Sequence, residues 1–413
     1  MDVRARLLRA TAARPHVLPV STPGGTAARL AAERYLRVHD LPLALTPADA
    51  DILLVTGPDR PELRPAVDRL WQHLPAPRAR AHAPTADAVP GALAGCRADL
   101  ADDAHNGGLE GGGHEGGSGH ESGRDHEGHG DDGHQDHSSH HDHGGGMEMP
   151  AGLPMAGTGE DRDGLSLDQL HVSLGPLLAD WPSGLTVRVT LQGDVIQEAE
   201  PAHQQLGGDD GGPAPFWPEP WARAAGGEPV AVGEAARRRA AAHLDSLGRL
   251  LAVAGWADAA VTARRLRDEL LDGAPGAALR PGVRRFARRV GRSRTLYWLT
   301  RGMGVLDEER ARAAGVSGPA ARAGGDVPAR YRTWLEDIVG DVDRLGETAP
   351  LDPTEEGPRG GGAGERWPSA ALVRVLPELL EGAELAAARL IVASLDPDPD
   401  ELAAGRREVG IHG

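Results

Sequence analysis

The chain has 413 residues, of which 40% are apolar and only 3% aromatic, and it carries a formal net charge of −17 with histidine neutral. This length suffices for two ordinary domains, and the shortage of large rings predicts a helix-rich core of Leu, Val and Ala. The negative charge argues against general nucleic-acid binding, because no global positive field would attract phosphate.

Cys96 is the only cysteine of the sequence. A single thiol excludes a disulfide framework, a cysteine-based zinc site and any cluster held by four thiolates of this chain. We find no run of about 18 apolar residues and no apolar stretch in the Arg-rich N-terminus, so neither a membrane span nor a signal peptide is expected. The predicted location is the cytoplasm, with a peripheral position at the inner face of the plasma membrane as the alternative.

Residues 1–101 are predicted to form a small doubly wound α/β domain. Two apolar runs, residues 17–20 and 52–55, each end at a Gly/Pro turn and each precede a helical pattern. The second run is continuous, as in a parallel strand buried on both faces. The helix after it is predicted by apolar residues at spacings of four, three and four: Leu63, Val67, Leu70 and Leu74. This βαβ order favours a parallel sheet.

Residues 102–159 are dominated by Gly, His, Asp, Glu and Ser. Such a segment cannot bury enough apolar surface to offset the entropy of ordering, so we predict a disordered linker. Imidazoles at this density bind nickel, zinc or copper without a fixed geometry. The candidate metal ligands are His105, His114, His120, His126, His129, His134, His137, His140, His141 and His143. A spacer with incidental metal affinity is an equally weighted interpretation.

Residues 160–398 are predicted to form a β-hairpin followed by a mainly helical bundle, with a tail at 399–413. Apolar and polar residues alternate strictly over 185–192, and Gly193-Asp194 turns the chain into a return strand. Two apolar faces predict two helices, one through Ala240, Leu244, Leu247, Leu251 and Ala254, the other through Leu372, Leu376, Leu379, Ala383, Ala387 and Leu390. The expected fold class is therefore mixed, an α/β unit joined to an α+β unit.

Five blocks of the C-terminal half carry a family resemblance in their order along the chain. They are Gly175-Pro176 with Trp181-Pro182-Ser183-Gly184 and the hairpin; Arg294-Thr295 with residues 301–306; residues 315–319; residues 325–331; and residues 375–380 with 393–397. Together they resemble the large, quinone-site subunit of respiratory complex I, which shares ancestry with the large subunit of nickel–iron hydrogenases. The resemblance implies the hydrogenase-large-subunit type of helical domain.

The N-terminal unit resembles the small, cluster-bearing subunit of the same enzymes. The turn Thr56-Gly57-Pro58 of that subunit is present, but residues 23–29 stand where its paired cysteines would lie, and Pro84-Thr85 near a later one. The resemblance thus implies a small-to-large fusion in which no iron–sulfur cluster is expected. The nickel-binding cysteines of hydrogenases are also absent near Asp396-Pro397, and no dinucleotide fingerprint supports direct NADH oxidation.

The family's quinone site uses a histidine in the first hairpin loop as a proton donor. The corresponding loop here, residues 178–184, has none. Asp180 could serve if burial raised its pKa, but an ordinary solvated loop aspartate is the favoured interpretation. His171 lies upstream, where a strand-edge histidine without a role is favoured.

An arginine cluster follows at 284–294. Its members are Arg284, Arg285, Arg288, Arg289, Arg292 and Arg294. The favoured interpretation is a solvated face paired with acidic neighbours such as residues 307–309, and the alternative is docking to an acidic partner subunit.

These observations predict an accessory or remodelled subunit of a complex I-like (NADH:quinone oxidoreductase) or hydrogenase-like complex, with other subunits of a membrane-associated oxidoreductase as partners and no nucleic acid. No catalytic residue is predicted, and enzymatic activity is left open. The alternative function is nickel or zinc storage or delivery through the His-rich segment. Because a tether keeps the two halves at an effective concentration in the millimolar range, we also expect the halves to pack against each other.

Overall fold

The structure is a computed structural model, which describes residues 14–106, 157–160, 166–202, 215–361 and 368–409. It contains a three-stranded parallel sheet, a four-stranded antiparallel sheet and a larger number of helices. The mixed, mostly helical class expected from the sequence is confirmed at this level.

The N-terminal unit is built on the parallel sheet. Its strands, in spatial order, are β1 (Val17–Ser21), β2 (Ile52–Thr56) and β3 (Ala79–Ala83). Its helices are α1 (Thr26–Val38), α2 (Arg64–His73) and α3 (Val89–Asn106), with short 3-10 turns at Pro47–Asp49, Pro61–Leu63 and Ala86–Ala88. Central strand β2 is buried throughout, with Ile52 and Leu54 in one apolar cluster and Leu53 and Val55 in another. Alternate side chains of β2 therefore supply a separate core on each face of the sheet.

The Thr56-Gly57-Pro58 turn ends β2 in direct backbone contact with the loop after β1. Gly57 has a φ of +103°, and a Cβ on it would lie 2.5 Å from the Cα of Gly25 and 2.7 Å from the Oγ1 of Thr22. Only glycine fits such an approach. The turn thus fixes the loop that the family resemblance assigns to cluster binding.

The C-terminal unit begins with the antiparallel sheet. Its strands, in spatial order, are β4 (Gly157–Glu160), β5 (Ser166–Leu174), β6 (Thr186–Gln192) and β7 (Val195–Ala202). The predicted hairpin is confirmed as β6 and β7, which pair antiparallel around Gly193 at a φ of +61°. Val187, Val189 and Leu191 enter the core, as their alternation predicts.

Helices make up the rest of this unit. They are α4 (Glu219–Ala225), α5 (Val232–Val253), α6 (Ala257–Leu271), α7 (Gly276–Gly291), α8 (Arg294–Thr300), α9 (Glu308–Ala313), α10 (Gly318–Ala323), α11 (Val327–Arg344), α12 (Ser369–Arg374), α13 (Leu376–Leu380), α14 (Leu385–Leu395) and α15 (Pro399–Val409). The central helix is α5, which is buried along most of its length and packs against α6 and α11.

The single helix predicted from Leu372 to Leu390 is wrong, because this segment forms three helices, α12, α13 and α14. Pro377 stands in the first turn of α13, where its missing N–H is tolerated, whereas a helix continuing through it would lose a hydrogen bond. Gly382 then takes a φ of +78° and separates α13 from α14. The apolar residues were correctly assigned to the core, but their spacing concealed two breaks.

The described elements also extend past two predicted boundaries. Helix α3 continues to Asn106 and strand β4 occupies Gly157–Glu160, so both reach into the predicted linker. Residues 107–156 and the histidines from His114 to His143 lie outside the described residues, while His105 belongs to α3. The predicted tail is wrong for 399–409, which form α15, with Glu401 of its first turn only 2% exposed.

Candidate functional site

Arginines and carboxylates join the two units in what we call the interface network: Arg29 and Glu33 of α1, Asp245 of α5, and Arg264 and Arg267 of α6. The Arg29 guanidinium lies 2.8 Å from Asp245 and 2.7 Å from Glu33. Arg267 bridges the same two carboxylates at 2.6 and 2.7 Å. The expected contact between the two halves is therefore present and centres on ion pairs.

This network is buried, with Arg267 0% and Asp245 2% exposed. Burial opposes the charged form of both carboxyls, but the surrounding guanidiniums outweigh it. They hold the pKa of Asp245 well below its usual range and lower the pKa of Glu33 to about 2. Both carboxylates are thus charged at neutral pH. Arginine suits such a network because it stays protonated and donates in a planar fork.

Apolar and backbone contacts extend the junction. Leu30 of α1 belongs to the main core cluster of the helical unit. Leu177, which lies between β5 and β6, packs against the α/β unit. The N–H of Gly24 donates to the Oδ1 of Asp400 at 2.7 Å. The first turn of α15 therefore meets the loop where the family's cysteines would stand.

A cavity of about 190 Å³ lies at this junction. Its apolar wall includes Leu18, Val20, Leu43, Leu70, Leu177, Leu178, Trp181 and Trp217. Its charged wall consists of Arg29, Glu33, Asp180, Arg249, Arg264, Arg359, Asp398 and Asp400. The space suits one ring-sized group that has an apolar body and a polar edge.

Asp180 lines this cavity, and its favoured interpretation as a solvated loop residue is wrong. Its side chain is 14% exposed and accepts a hydrogen bond of 2.6 Å from Arg264. Burial raises the pKa of Asp180 above its ordinary value, although Arg264 opposes that shift. The residue has a φ of +55°, a left-handed conformation that aspartate tolerates better than most residues. Asp180 is therefore a largely enclosed acid in the wall of the site.

His171 does not join Asp180 in the cavity wall. It lies on β5 opposite Thr190 of β6, beyond residues 166–169 that pair with β4, so among the described residues it has a strand neighbour on one side only, as the strand-edge interpretation expects. Its side chain is exposed, with Nδ1 3.1 Å from the Oγ1 of Thr190. Of the two predicted quinone-site residues, only Asp180 is part of the cavity.

Three buried carboxyl groups at the start of α15 were missed at the level of sequence: Asp398, Asp400 and Glu401, with exposures of 1%, 6% and 2%. Burial, together with the neighbouring carboxyls, raises the pKa of Asp398 well above its usual value. Burial likewise raises the pKa values of Asp400 and Glu401. The sequence did contain one signal for this site: the Asp-Pro pair of the family resemblance, residues 396–397, is repeated at residues 398–399.

Two residues of the cavity wall have buried polar atoms without a hydrogen-bond partner among the described residues. They are Arg359, at Nη1 and Nη2, and Asp398, at Oδ2. Arg359 is 4% exposed, and its Nη2 still forms an ion pair with Asp396. Because an unsatisfied buried polar group is costly, these atoms mark the place where water or a ligand's polar edge would bind.

The raised pKa values predict that stability falls as pH rises. A carboxyl with a raised pKa contributes stability below its unfolded pKa, and that contribution is lost as pH rises through the folded value. Asp398→Asn should therefore flatten the decline of unfolding free energy between pH 5 and 8 by up to about 1.4 kcal/mol per pH unit. Urea unfolding at several pH values measures this slope.

Asp343→Asn is the matched control, because Arg280 and Arg284 lower the pKa of this exposed carboxyl, which is already ionised across that range. If the unfolding free energy of Asp398→Asn changed with pH as steeply as that of the unmodified chain, the conclusion that burial keeps Asp398 protonated would be refuted.

The residues of the site do not fit the iron–sulfur cluster of the small subunit that the N-terminal sequence resembles. Of residues 23–29, which stand in place of its paired cysteines, Thr26 and Arg29 line the cavity, and neither supplies sulfur. Cys96 is 2% exposed in the core beneath α1, and burial raises its pKa to about 11. Within the described ranges, no group of three or more His, Cys, Asp or Glu side chains is arranged to hold a metal ion.

Comparisons with known proteins add a distant structural likeness. No protein-family model matches the chain, and no curated protein matches it. The chain is similar to a chain in the structure of the membrane-bound sulfane sulfur reductase, an archaeal respiratory membrane complex, at 18% identity and a TM-score of 0.42. The match covers 57% of this chain and 98% of that one, and it assigns no function here. None of the helices that the structure describes has the length and hydropathy of a membrane span.

Proposed function

We propose that this chain is an accessory or remodelled subunit of a membrane-associated oxidoreductase of the complex I or hydrogenase type. In this role it contributes a fold and contacts to other subunits, and it carries neither an iron–sulfur cluster nor nickel. Its place is peripheral, at the inner face of the plasma membrane.

One observation carries the proposal: three segments that resemble this family meet at a single cavity. Thr26 and Arg29 come from residues 23–29, which stand in place of the cysteines, and Asp180 comes from the loop of residues 178–184 between β5 and β6. Asp398 follows the closing Asp-Pro pair. In the family that these segments resemble, the hairpin loop and the neighbouring cluster serve the quinone site, so the convergence of the segments supports a retained site whose metal ligands have been lost.

The cavity offers binding and proton-holding groups. Arg359 lines the cavity and its Nη1 has no hydrogen-bond partner among the described residues, so it is the candidate donor to a carbonyl oxygen of a ring-sized quinone head group. Asp180 and Asp398, whose pKa values are raised by burial, can hold protons near the same space. Electrons would have to come from a partner subunit, because no thiolate set exists in this sequence.

Co-purification tests the proposal directly. We expect the full chain, tagged and isolated from gently solubilised membranes of its own host, to bring redox subunits with it in fixed stoichiometry. The chain separated from them should contain no stoichiometric iron. Redox subunits absent from the purified material, or an iron–sulfur spectrum in the isolated chain, would refute the role or the loss of ligands respectively.

The density of histidines at residues 105–143 supports a second function, storage or delivery of nickel or zinc. We expect the full chain to bind several Ni²⁺ or Zn²⁺ ions by calorimetric titration, and a chain lacking residues 107–143 to lose this binding. Retaining the sequence through Asn106 keeps α3 intact. If the deletion causes metal sensitivity in cells while co-purification is unchanged, the metal function is favoured over the accessory one.

A further inference from the structure

The arginines of helix α7 lie in separate rows along the helix, and those of two rows form ion pairs with aspartates. Arg280 and Arg284 bind Asp343 at 2.6 and 3.1 Å, and Arg289 binds Asp258 at 2.7 Å. The predicted pairing of this cluster with residues 307–309 is wrong, because Asp307 and Glu308 pair with Arg310 and Arg312 of α9.

A third row remains without a counter-charge. Arg285, Arg288 and Arg292 recur at spacings of three and four, which places them on one side of α7 and its end. All three are exposed, and none forms an ion pair with another residue that the structure describes. Since most arginines elsewhere in this acidic chain are paired, this local excess of positive charge is distinctive.

Helix α8 begins three residues after the end of α7 and carries an exposed aromatic ring. Arg294 and Trp298 are four residues apart on one side of α8, and Arg301 directly follows the helix. Trp298 is 65% exposed and Leu299 45% exposed. Arg294 and Arg301 are exposed and, within the described part of the chain, have no acidic partner. We call Arg285, Arg288, Arg292, Arg294, Arg301 and Trp298 the basic face.

We propose that the basic face binds an anionic lipid surface. Guanidiniums pair with lipid phosphates and carboxylates, and each basic residue close to such a surface contributes about 1 kcal/mol. Tryptophan and leucine enter the boundary between head groups and acyl chains, where an amphipathic ring is favoured. The overall charge of −17 does not prevent this contact, because screening limits charge interactions to about 8 Å at physiological salt.

The composition of the face favours lipid over an acidic protein segment. An acidic segment would satisfy the arginines but would leave the ring of Trp298 and the side chain of Leu299 without a matched environment. A lipid surface supplies anionic groups and an apolar boundary within a few ångströms of each other. The proposal does not depend on the cavity or on partner subunits.

Sedimentation with lipid vesicles tests it with the full chain. We expect binding to phosphatidylcholine vesicles that contain phosphatidylserine, weak binding to phosphatidylcholine alone, and release at high salt. Changing Arg285, Arg288 and Arg292 together to Glu should weaken binding at least about a hundredfold, at roughly fivefold for each arginine removed. Trp298→Ala should weaken binding while leaving its salt dependence unchanged.

The control changes Arg310 and Arg312 together to Glu, because these exposed arginines of neighbouring α9 are paired with acidic residues. Circular dichroism melting confirms that each variant is folded. Equal vesicle binding by the triple variant and the control would overturn the proposal. So would a triple variant that loses retention on immobilised polyglutamate but keeps vesicle binding, since the face would then serve an acidic protein segment. Neither result affects the co-purification test, which uses no added lipid.

Discussion

Replacing Asp245 with asparagine is expected to lower the free energy of unfolding by about 3 to 5 kcal/mol. This carboxylate, 2% exposed, binds Arg29 at 2.8 Å, Arg267 at 2.6 Å and Arg249 at 3.2 Å. Asparagine preserves the shape but leaves three largely buried guanidiniums without their shared negative charge. Urea unfolding at neutral pH measures the loss. The difference should narrow in acid, because a carboxyl with a lowered pKa loses its contribution as pH falls through the folded value.

Asp343→Asn provides the comparison for this prediction. Asp343 also binds two arginines, Arg280 and Arg284, but its side chain is 43% exposed. Solvent screens such a pair, so its loss should lower the free energy of unfolding far less than the loss of Asp245 does. A loss from Asp245→Asn no larger than that of Asp343→Asn would contradict a structural role for the interface network.

The second large effect concerns association of the two units. After cleavage at a protease site inserted within residues 107–156, the fragments should still co-elute from a sizing column at micromolar concentration. Arg29→Glu should separate them, because it places a negative charge beside Glu33 and Asp245. Losing a buried charge pair across an interface costs about 2 to 5 kcal/mol, a factor of roughly thirty or more in Kd.

Arg34→Glu controls for charge reversal on the same helix. Arg34 also pairs with the helical unit, through Asp272, but its side chain is 50% exposed. Its fragments should continue to co-elute, since an exposed pair contributes little. Separation of the unmodified fragments at micromolar concentration would show that only the tether holds the units together.

Local patterns were enough to predict the elements that frame the site. The continuous apolar run of β2 and the strict alternation of β6 are signals within five to seven residues, and both strands formed as expected. The Gly193 turn fixed the pairing of the hairpin. These features depend on backbone geometry and on which side chains alternate between core and solvent, which the sequence states directly.

The candidate site itself depends on contacts that no local pattern contains. Arg29 and Asp245 are 216 residues apart in the chain, and Asp180 is 84 residues from Arg264. Asp180 resembled a solvated loop residue because the side chains that enclose it belong to other elements. Asp398 and Glu401 resembled a polar tail, but α15 packs against α12, and both side chains are buried. Tertiary burial, which decides the pKa values, could not be predicted from spacing.

The cavity wall and the interface network share three residues, Arg29, Glu33 and Arg264. Binding of a ligand in the cavity and association of the two units are therefore expected to be thermodynamically coupled. A molecule that fits only the closed arrangement tightens the union of the two units by the same factor by which closure tightens its own binding. Weakening the contact between the two units, as Arg29→Glu would, should therefore also weaken the binding of such a molecule.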